Sequence, residues 1–250
     1  MTTVDARAAA AAAEGVAARF DEIFATIDNW KAMLTERLGG ETSLTAEALD
    51  PLVASFAVPA VSEQTLLTGA GFVATPGVLP DAPYHLAWWL RETASDPSAH
   101  RLRAIEDPSS ELFRDYTALE WWRVPASTGA RHLTGPYVDY VCTDDYTVTI
   151  TTPVVVDGTM VGVVGADALV DRLERELLPV LGSTTLPATV VNASARVVTS
   201  TDTHREPGSI LRLPGLAEVA RKPPVSPVAL GGGCEVLACG DTSLVLVVGC

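Results

Sequence analysis

Apolar residues recur at steps of three and four near the N-terminus, which predicts a long helix with one buried face. The apolar positions of this face are Val16, Phe20, Ile23, Phe24, Ile27, Trp30 and Leu34. Gly39-Gly40 follows them and is typical of a helix end. Asp50-Pro51 then predicts the N-cap and first turn of a second, shorter helix.

The helical period then gives way to alternation of apolar and polar positions, which predicts antiparallel strands. "GAGFVATPG" and "YHLAWWLRE" are expected to form two strands around a proline-rich turn. The polar stretch 95–110 is expected to be a loop or short helix, and "LFRDYTALEWWRVPAS" a short helix with a turn. A strand meander is expected at 131–134, 137–142, 146–156 and 159–166, with Asp157-Gly158 as its clearest hairpin turn.

A further helix and a second, smaller β module are expected after the meander. Leucines at helical spacing from Leu169 to Leu177 precede Gly182, which ends the helix. Turn-forming residues at 192–194 and 240–241 then separate β-branched runs, which predicts two hairpins. The predicted order of elements along the chain is therefore the N-terminal helices, a sheet, a further helix and a smaller sheet.

Charge and hydropathy narrow the classes of function. The 250 residues carry a formal net charge of −14 with a mean hydropathy of +0.25. Such an acidic chain is poorly suited to bind nucleic acid or an anionic membrane surface. No run approaches the ~20 apolar residues of a membrane span, and the N-terminus lacks the pattern of a secretory signal. The chain is expected to be soluble and cytoplasmic, or extracytoplasmic if it is an excised sensor domain.

Motifs of metal sites and enzymes are missing from the sequence. Cys142, Cys234, Cys239 and Cys250 lack the paired spacing of a zinc site. Reduced, buried thiols are expected, and pairing of Cys234 with Cys239 across a hairpin is the alternative under oxidising conditions. No nucleophile elbow, P-loop or dinucleotide fingerprint occurs. Neither a metal, a cofactor nor catalytic activity is therefore predicted.

Aromatic and acidic residues instead concentrate where the short helix meets the meander. The group comprises Tyr116, Trp121, Trp122, Tyr137, Asp139 and Tyr140. Aromatic faces attract cations, and a carboxylate beside them adds a charge-assisted hydrogen bond to an ammonium group. Asp167, after the apolar run "MVGVVGA", is a second candidate acid. Two alternatives stay open: the tryptophans are core residues, and Asp167 caps the following helix.

The order of these motifs resembles the double-Cache sensor domains found outside bacterial chemoreceptors and sensor kinases. A Trp pair, "PYVD", a hairpin at Asp157-Gly158 and "GVVGAD" follow one another between Tyr116 and Asp167. The resemblance implies an α+β fold with a long N-terminal helix, 1–41, and two PAS-like Cache modules with antiparallel sheets. The first module, 42–180, would bind the ligand, and the second, 181–250, would be smaller.

The resemblance also assigns expected roles to individual residues. In amino-acid-binding members of the family, an arginine two places before the tryptophan clamps the ligand carboxylate, and two acids bind its ammonium group. Asp139 and Asp167 match the acids, and Trp121-Trp122 matches a Trp-Tyr pair. Leu119 stands at the clamp position. Arg114 stands where a tyrosine is expected, with Tyr116 as its substitute.

Because Leu119 cannot bind a carboxylate, the resemblance implies an amine sensor with an aromatic cage and two aspartates. Tyr137 and Trp88 are expected to wall the same pocket. A sensor of amino acids or other carboxylates is the alternative, and its displaced clamp would be Arg91, Arg114, Arg123, Arg131 or His132. Signalling is expected through contact with a separately encoded transcription regulator or kinase.

Overall fold

The structure, a computed structural model, describes residues 3–40, 45–62, 66–91, 98–138 and 146–250. Helix α1 (Thr3–Gly39) includes the alanine run that precedes the predicted apolar face. The predicted core residues of α1, from Val16 to Leu34, are all buried. Helix α2 (Ala46–Ser62) packs beside α1 on one face of the first sheet. In the described parts of the chain, no helix is both long and apolar enough to cross a membrane.

Helix α2 begins at Ala46, so the prediction that Asp50 caps it was wrong. Both carboxylate oxygens of Asp81 instead accept from the backbone N–H of Ala46, at 2.9 and 3.0 Å. An acid 35 positions away in the sequence therefore caps this helix together with Thr45, whose Oγ1 accepts from the backbone N–H of Ala48 at 3.2 Å. Asp50 lies inside the helix, where its carboxylate binds His85 and Arg101.

The first sheet has six antiparallel strands in the spatial order β3-β2-β1-β6-β5-β4. They are β1 (Leu67–Ala74), β2 (Leu86–Leu90), β3 (His100–Arg101), β4 (His132–Val138), β5 (Tyr146–Val156) and β6 (Thr159–Leu169). The predicted turn at Asp157-Gly158 is confirmed, and both residues have positive φ angles, 49° and 77°. Helix α3 (Glu120–Thr128) packs over β4 and β5, on the face that α1 and α2 leave open.

A second, five-stranded antiparallel sheet follows helix α4 (Val170–Leu181), with the order β8-β7-β11-β10-β9. Its strands are β7 (Ala188–Val191), β8 (Val197–Ser200), β9 (Val228–Ala229), β10 (Glu235–Ala238) and β11 (Val245–Val248). Both predicted hairpins are present, and helix α5 (Leu216–Arg221) lies in the long loop between them. The α+β class with a long N-terminal helix and two antiparallel sheets is confirmed, whereas the module boundaries stay a prediction.

A hydrogen bond and a disulfide constrain the second sheet. Asn192 Nδ2 donates to the carbonyl oxygen of Gly135 at 2.6 Å, which joins the first hairpin of this sheet to β4. Cys234 forms a disulfide with Cys250, so the expectation of reduced thiols was wrong for these two residues, and so was the alternative bond between Cys234 and Cys239. Cys239 is a buried free thiol. Cys142 lies outside the described residues.

Candidate functional site

A cavity of about 270 Å³ lies between the first sheet and the segment 103–121. It lies on the face of the sheet opposite α1 and α2. Neighbouring side chains of a strand point to opposite faces of the sheet. Trp88 on β2 lines this cavity, whereas the adjacent Trp89 packs in the core under the helices. The equivalent face of the second sheet is filled by an apolar cluster that includes Leu216 and Ala220 of α5. On this face the first sheet therefore bounds a cavity, whereas the second sheet is covered by packed apolar side chains.

Asp167 contributes a carboxylate to the cavity wall although it is only 5% exposed. Trp88 Nε1 donates to its Oδ2 at 3.0 Å, and Thr149 Oγ1 donates to its Oδ1 at 2.6 Å. The Thr149 hydroxyl in turn lies 2.8 Å from the hydroxyl of Tyr137. These two donors are neutral groups that orient the carboxylate of Asp167 toward the cavity wall.

Asp167 is not a helix cap, so the ordinary explanation for this acid fails. Strand β6 continues to Leu169, which is the N-cap residue of α4 and makes no side-chain capping bond. Asp167 is therefore a strand residue whose side chain points into the cavity face. A buried carboxylate costs free energy that packing alone does not repay, which favours a role in binding a cation.

Gly69 makes room for this carboxylate. It lies on β1 directly beside Asp167 in the β1–β6 pair. A Cβ atom at position 69 would lie 2.5 Å from Asp167 Oδ2 and 2.9 Å from Trp88 Nε1. The hydrogen bond between Trp88 and Asp167 therefore requires glycine at this position.

Aromatic rings form much of the remaining wall, namely Tyr84, Phe113, Tyr116, Trp121 and Tyr137. The Tyr116 hydroxyl donates to the carbonyl of Ala74 at 2.6 Å, and burial raises the pKa of this phenol. Its ring centroid lies 6.3 Å from that of Trp121 and 5.2 Å from that of Trp122. Trp122 is itself buried behind Tyr116 and does not line the cavity.

Leu119, the residue at the clamp position, lines the cavity as well. Arg114 also lines it, and its Nη1 donates to the backbone carbonyls of Glu111 and Phe113. The other suggested clamp residues lie outside the lining, namely Arg91, Arg123, Arg131 and His132. Of these, Arg131 stacks over Phe24 and His132 binds Glu120. Any carboxylate clamp among the five would therefore have to be Arg114.

A buried histidine anchors the segment that forms the outer wall. His85 places Nε2 2.8 Å from Asp50 Oδ1 of α2 and Nδ1 3.2 Å from Glu106, which lines the cavity. Burial by itself lowers the pKa of His85, but the hydrogen bonds to these two carboxylates outweigh it and raise the pKa to about 9. Glu106 also accepts from the backbone N–H of Leu86 at 2.9 Å. Burial opposes its ionisation, yet these two bonds lower the pKa of its carboxyl below the ordinary value.

The structure brings together most, though not all, of the residues that the sequence suggested. Trp88, Arg114, Tyr116, Trp121, Tyr137 and Asp167 line one cavity, and Trp122 lies behind it. Asp139 lies outside the described residues, so its role stays a prediction. Sequence reasoning missed the lining residues Tyr84, Arg103, Glu106, Phe113 and Thr149. Pairing the residues of β5 and β6 outward from the Asp157-Gly158 turn is the sequence signal that could have placed a residue beside Asp167. A bulge shifts this pairing by one residue, so the partner of Asp167 is Thr149.

Residues 63–175, a little under half of the chain, match the model of a protein family described as methyl-accepting chemotaxis protein-like, first PDC sensor domain. The matched region contains every lining residue of the cavity. Among curated proteins, none matches the chain in sequence.

Solved structures of sensor domains share the fold over nearly the whole chain. The ligand-binding domain of the Pseudomonas fluorescens chemoreceptor CtaA with L-valine is 17% identical, with a TM-score of 0.61 over 98% of this chain and 93% of its own. That of the Pseudomonas aeruginosa amino acid chemoreceptor PctB with L-Arg is 16% identical, with a TM-score of 0.58 over 97% and 91%. The extracellular domain of a histidine kinase is 14% identical, with a TM-score of 0.64 over 94% and 89%.

These comparisons are consistent with the Cache and PDC family of sensors, and they confirm the predicted PAS-like fold. They do not support the expected cytoplasmic location, because the similar domain of the histidine kinase is that protein's extracellular domain. These structures are less than one-fifth identical to the chain, so the comparison shows a shared fold and not a shared ligand.

Proposed function

We propose that this chain is the ligand-binding domain of a sensor and that it binds a small primary amine without transforming it. The observation that carries the proposal is the buried carboxylate of Asp167 on the wall of an aromatic cavity that also contains Leu119. The carboxylate of Asp167 favours a cationic ligand. Leu119 disfavours an anion, and it stands where amino-acid-binding relatives are expected to have an arginine that binds the ligand carboxylate.

The contacts of the cavity suit an ammonium head. An ammonium group next to Asp167 makes a charge-assisted hydrogen bond, and the faces of Trp121 and Tyr137 add cation–π attraction of about 0.5–2 kcal/mol each. Asp139, two residues after Tyr137, is proposed as a second acid for the same head. Apolar side chains of the wall, including Leu119, would pack against the carbon chain of the amine.

An amino-acid ligand is the second candidate, and two observations favour it. The neighbours CtaA and PctB hold L-valine and L-Arg. Arg114 lines the cavity and has donors beyond the Nη1 that binds backbone carbonyls. Against it, a carboxylate beside Leu119 would lose its hydration without a partner, which costs several kcal/mol.

The signal is proposed to pass by protein contact. The matched family and the neighbouring folds are sensory parts of chemoreceptors and histidine kinases, so the partner is proposed to be a kinase or a regulator that responds to the liganded domain. Ligand binding shifts a conformational equilibrium only if the two states differ in affinity for the ligand. No chemical step is proposed, and mass spectrometry of the ligand after incubation with the protein would expose one.

Calorimetric titration with matched pairs tests the proposed ligand class. Each pair consists of an amino acid and the amine left by removing its carboxylate: alanine and ethylamine, valine and isobutylamine, leucine and isoamylamine. We expect the amine to bind about tenfold more tightly, or more, in each pair. The reason is that only the amino acid has a carboxylate that must lose its hydration next to Leu119. Tight binding of the amino acids with no response to their amines would overturn the proposal.

Leu119→Arg is expected to invert this preference. The new guanidinium would lie in the cavity wall, where it repels an ammonium ligand and pairs with a carboxylate, so amine affinity should fall about tenfold while amino-acid affinity rises. Leu178→Arg is the matched control, because Leu178 is a partly exposed residue of α4 outside the cavity. Unchanged amine affinity in Leu119→Arg would show that Leu119 does not face the ligand.

A further inference from the structure

Two arginines line the cavity without an ion-pair partner in the parts of the chain that the structure describes. These are Arg103 and Arg114, both on the exposed segment that forms the outer wall. Arg114 donates only through Nη1, to the carbonyls of Glu111 and Phe113, which leaves Nε and Nη2. Arg103 follows Leu102, whose backbone N–H bonds to the carbonyl of Trp88, so it is held close to the β2 edge of the cavity.

Several carboxylates of the same segment contact groups other than these arginines. Glu106 binds His85 and the backbone N–H of Leu86. Asp107 accepts from Ser109, and Asp115 accepts from Thr117. No ion pair joins either guanidinium group to a carboxylate within the described residues, in a chain whose net charge is −14. Such an arrangement provides planar donors for an anionic group that arrives with the ligand.

Asp167 and the two arginines lie at different depths of the cavity. Asp167 is 5% exposed on the floor formed by the sheet, whereas Arg103 and Arg114 are exposed residues of the outer wall. Leu119 and the aromatic rings line the cavity as well. A carboxylate on the same carbon as the ammonium group would lie beside these apolar groups. One carried on a longer chain would reach the arginines.

We propose that Arg103 and Arg114 form an anion subsite at the mouth of the cavity, so that its ligand is an amine with a carboxylate separated from the nitrogen by several carbon atoms. The inference rests on the proposed binding of an ammonium group at Asp167 and narrows the ligand to ω-amino acids. An ω-amino acid keeps its ammonium end at Asp167 and gains contacts at the mouth. An α-amino acid of the same composition loses them.

The size of the effect follows from the exposure of the subsite. Charge-assisted hydrogen bonds to arginine strengthen binding, although solvent weakens a pair that is exposed. We expect an advantage of about tenfold for the ω-amino acid over the unsubstituted amine, which corresponds to about 1.4 kcal/mol. The advantage should fall with added salt, because screening acts on exposed charges more than on buried ones.

Calorimetry with three ligands of one chain length tests the subsite: butylamine, α-aminobutyrate and γ-aminobutyrate. The wild-type protein is expected to bind γ-aminobutyrate about tenfold more tightly than butylamine, and α-aminobutyrate least tightly. In the double variant Arg103→Gln, Arg114→Gln the advantage of γ-aminobutyrate should disappear while butylamine still binds. Arg123→Gln is the matched control, since Arg123 is an exposed arginine of α3 outside the cavity lining.

The outcomes separate this inference from the proposed function. If butylamine binds and γ-aminobutyrate has no advantage, or if the advantage survives in the double variant, the anion subsite is wrong and the amine site stands. If α-aminobutyrate binds most tightly, the subsite is wrong and the amino-acid alternative is favoured. If none of the three ligands binds, the proposed function itself fails.

Discussion

Asp167→Asn is expected to abolish measurable amine binding while leaving the fold intact. Removing one partner of a buried, hydrogen-bonded charge pair costs about 2–5 kcal/mol, which is roughly a 30-fold to more than 1,000-fold loss of affinity. Asparagine keeps an oxygen for Trp88 Nε1, and its amide group can donate to Thr149, so the local hydrogen bonds can re-form. Calorimetric titration with the tightest-binding amine measures the loss.

Asp171→Asn is the control for a general change in charge. Asp171 lies four residues after Asp167 in the sequence. It is an exposed acid of α4 that pairs with Arg175. Its variant should bind the amine as the wild type does, and both variants should unfold within a few degrees of it. Binding by Asp167→Asn within about threefold of wild type would show that this carboxylate does not hold the ligand.

His85→Leu is expected to destabilise the protein by about 3–5 kcal/mol, because it removes the cation between two carboxylates. Both ring nitrogens of His85 lie at hydrogen-bond distance from acids, Asp50 on α2 and Glu106 on the cavity wall. Arg101 lies 2.9 Å from Asp50 and retains that contact in the variant, but Glu106 loses its ion pair with His85. Urea denaturation at pH 6 measures the difference.

The same histidine predicts a loss of stability as pH rises. Its pKa is about 9 in the folded protein against an ordinary value of 6.5, so the folded state holds the proton more tightly than the unfolded state. The contribution, about 3 kcal/mol, is therefore complete below pH 6.5 and is lost as pH rises through 9. The charged groups that interact with the ring are Asp50, Glu106, Arg101 and Asp81. The hydroxyl of Tyr116 accepts from the backbone N–H of His85.

A histidine on the surface supplies the control for this pH dependence. The His204 side chain is 94% exposed and pairs with Asp202, so His204→Leu should keep the slope of the wild type between pH 6.5 and 9. In His85→Leu that slope should flatten. Equal slopes in His85→Leu and wild type would mean that folding does not raise the pKa of His85. Because Glu106 links His85 to the cavity wall, amine affinity should weaken in the same variant.

Local sequence patterns determined much of the fold. The period of the apolar face predicted α1 down to its buried residues, and the positive-φ turn at Asp157-Gly158 was read correctly from residue type alone. Both hairpins of the second sheet and the end of α4 at Gly182 were likewise predicted. These features depend on residues within a few positions of one another, which is why a single sequence reveals them.

Long-range pairing decided the site. Counting from the turn at Asp157-Gly158 places Val148 opposite Asp167, but a bulge between Val154 and Val155 moves Thr149 there instead. Since neighbouring residues of a strand face opposite sides, this one-residue shift supplies the carboxylate with a hydroxyl instead of an apolar side chain.

The insertion of β1 between β2 and β6 likewise brings Gly69 and Trp88 to Asp167 from 98 and 79 positions away in the sequence. The capping of α2 by Asp81 and the bond between Cys234 and Cys250 are decided in the same manner. The amino-acid sequence by itself therefore determined the elements and the chemical kinds of residue available to the site. Which of them meet was decided only by the tertiary structure, because strand order and register depend on the packing of segments far apart in the chain.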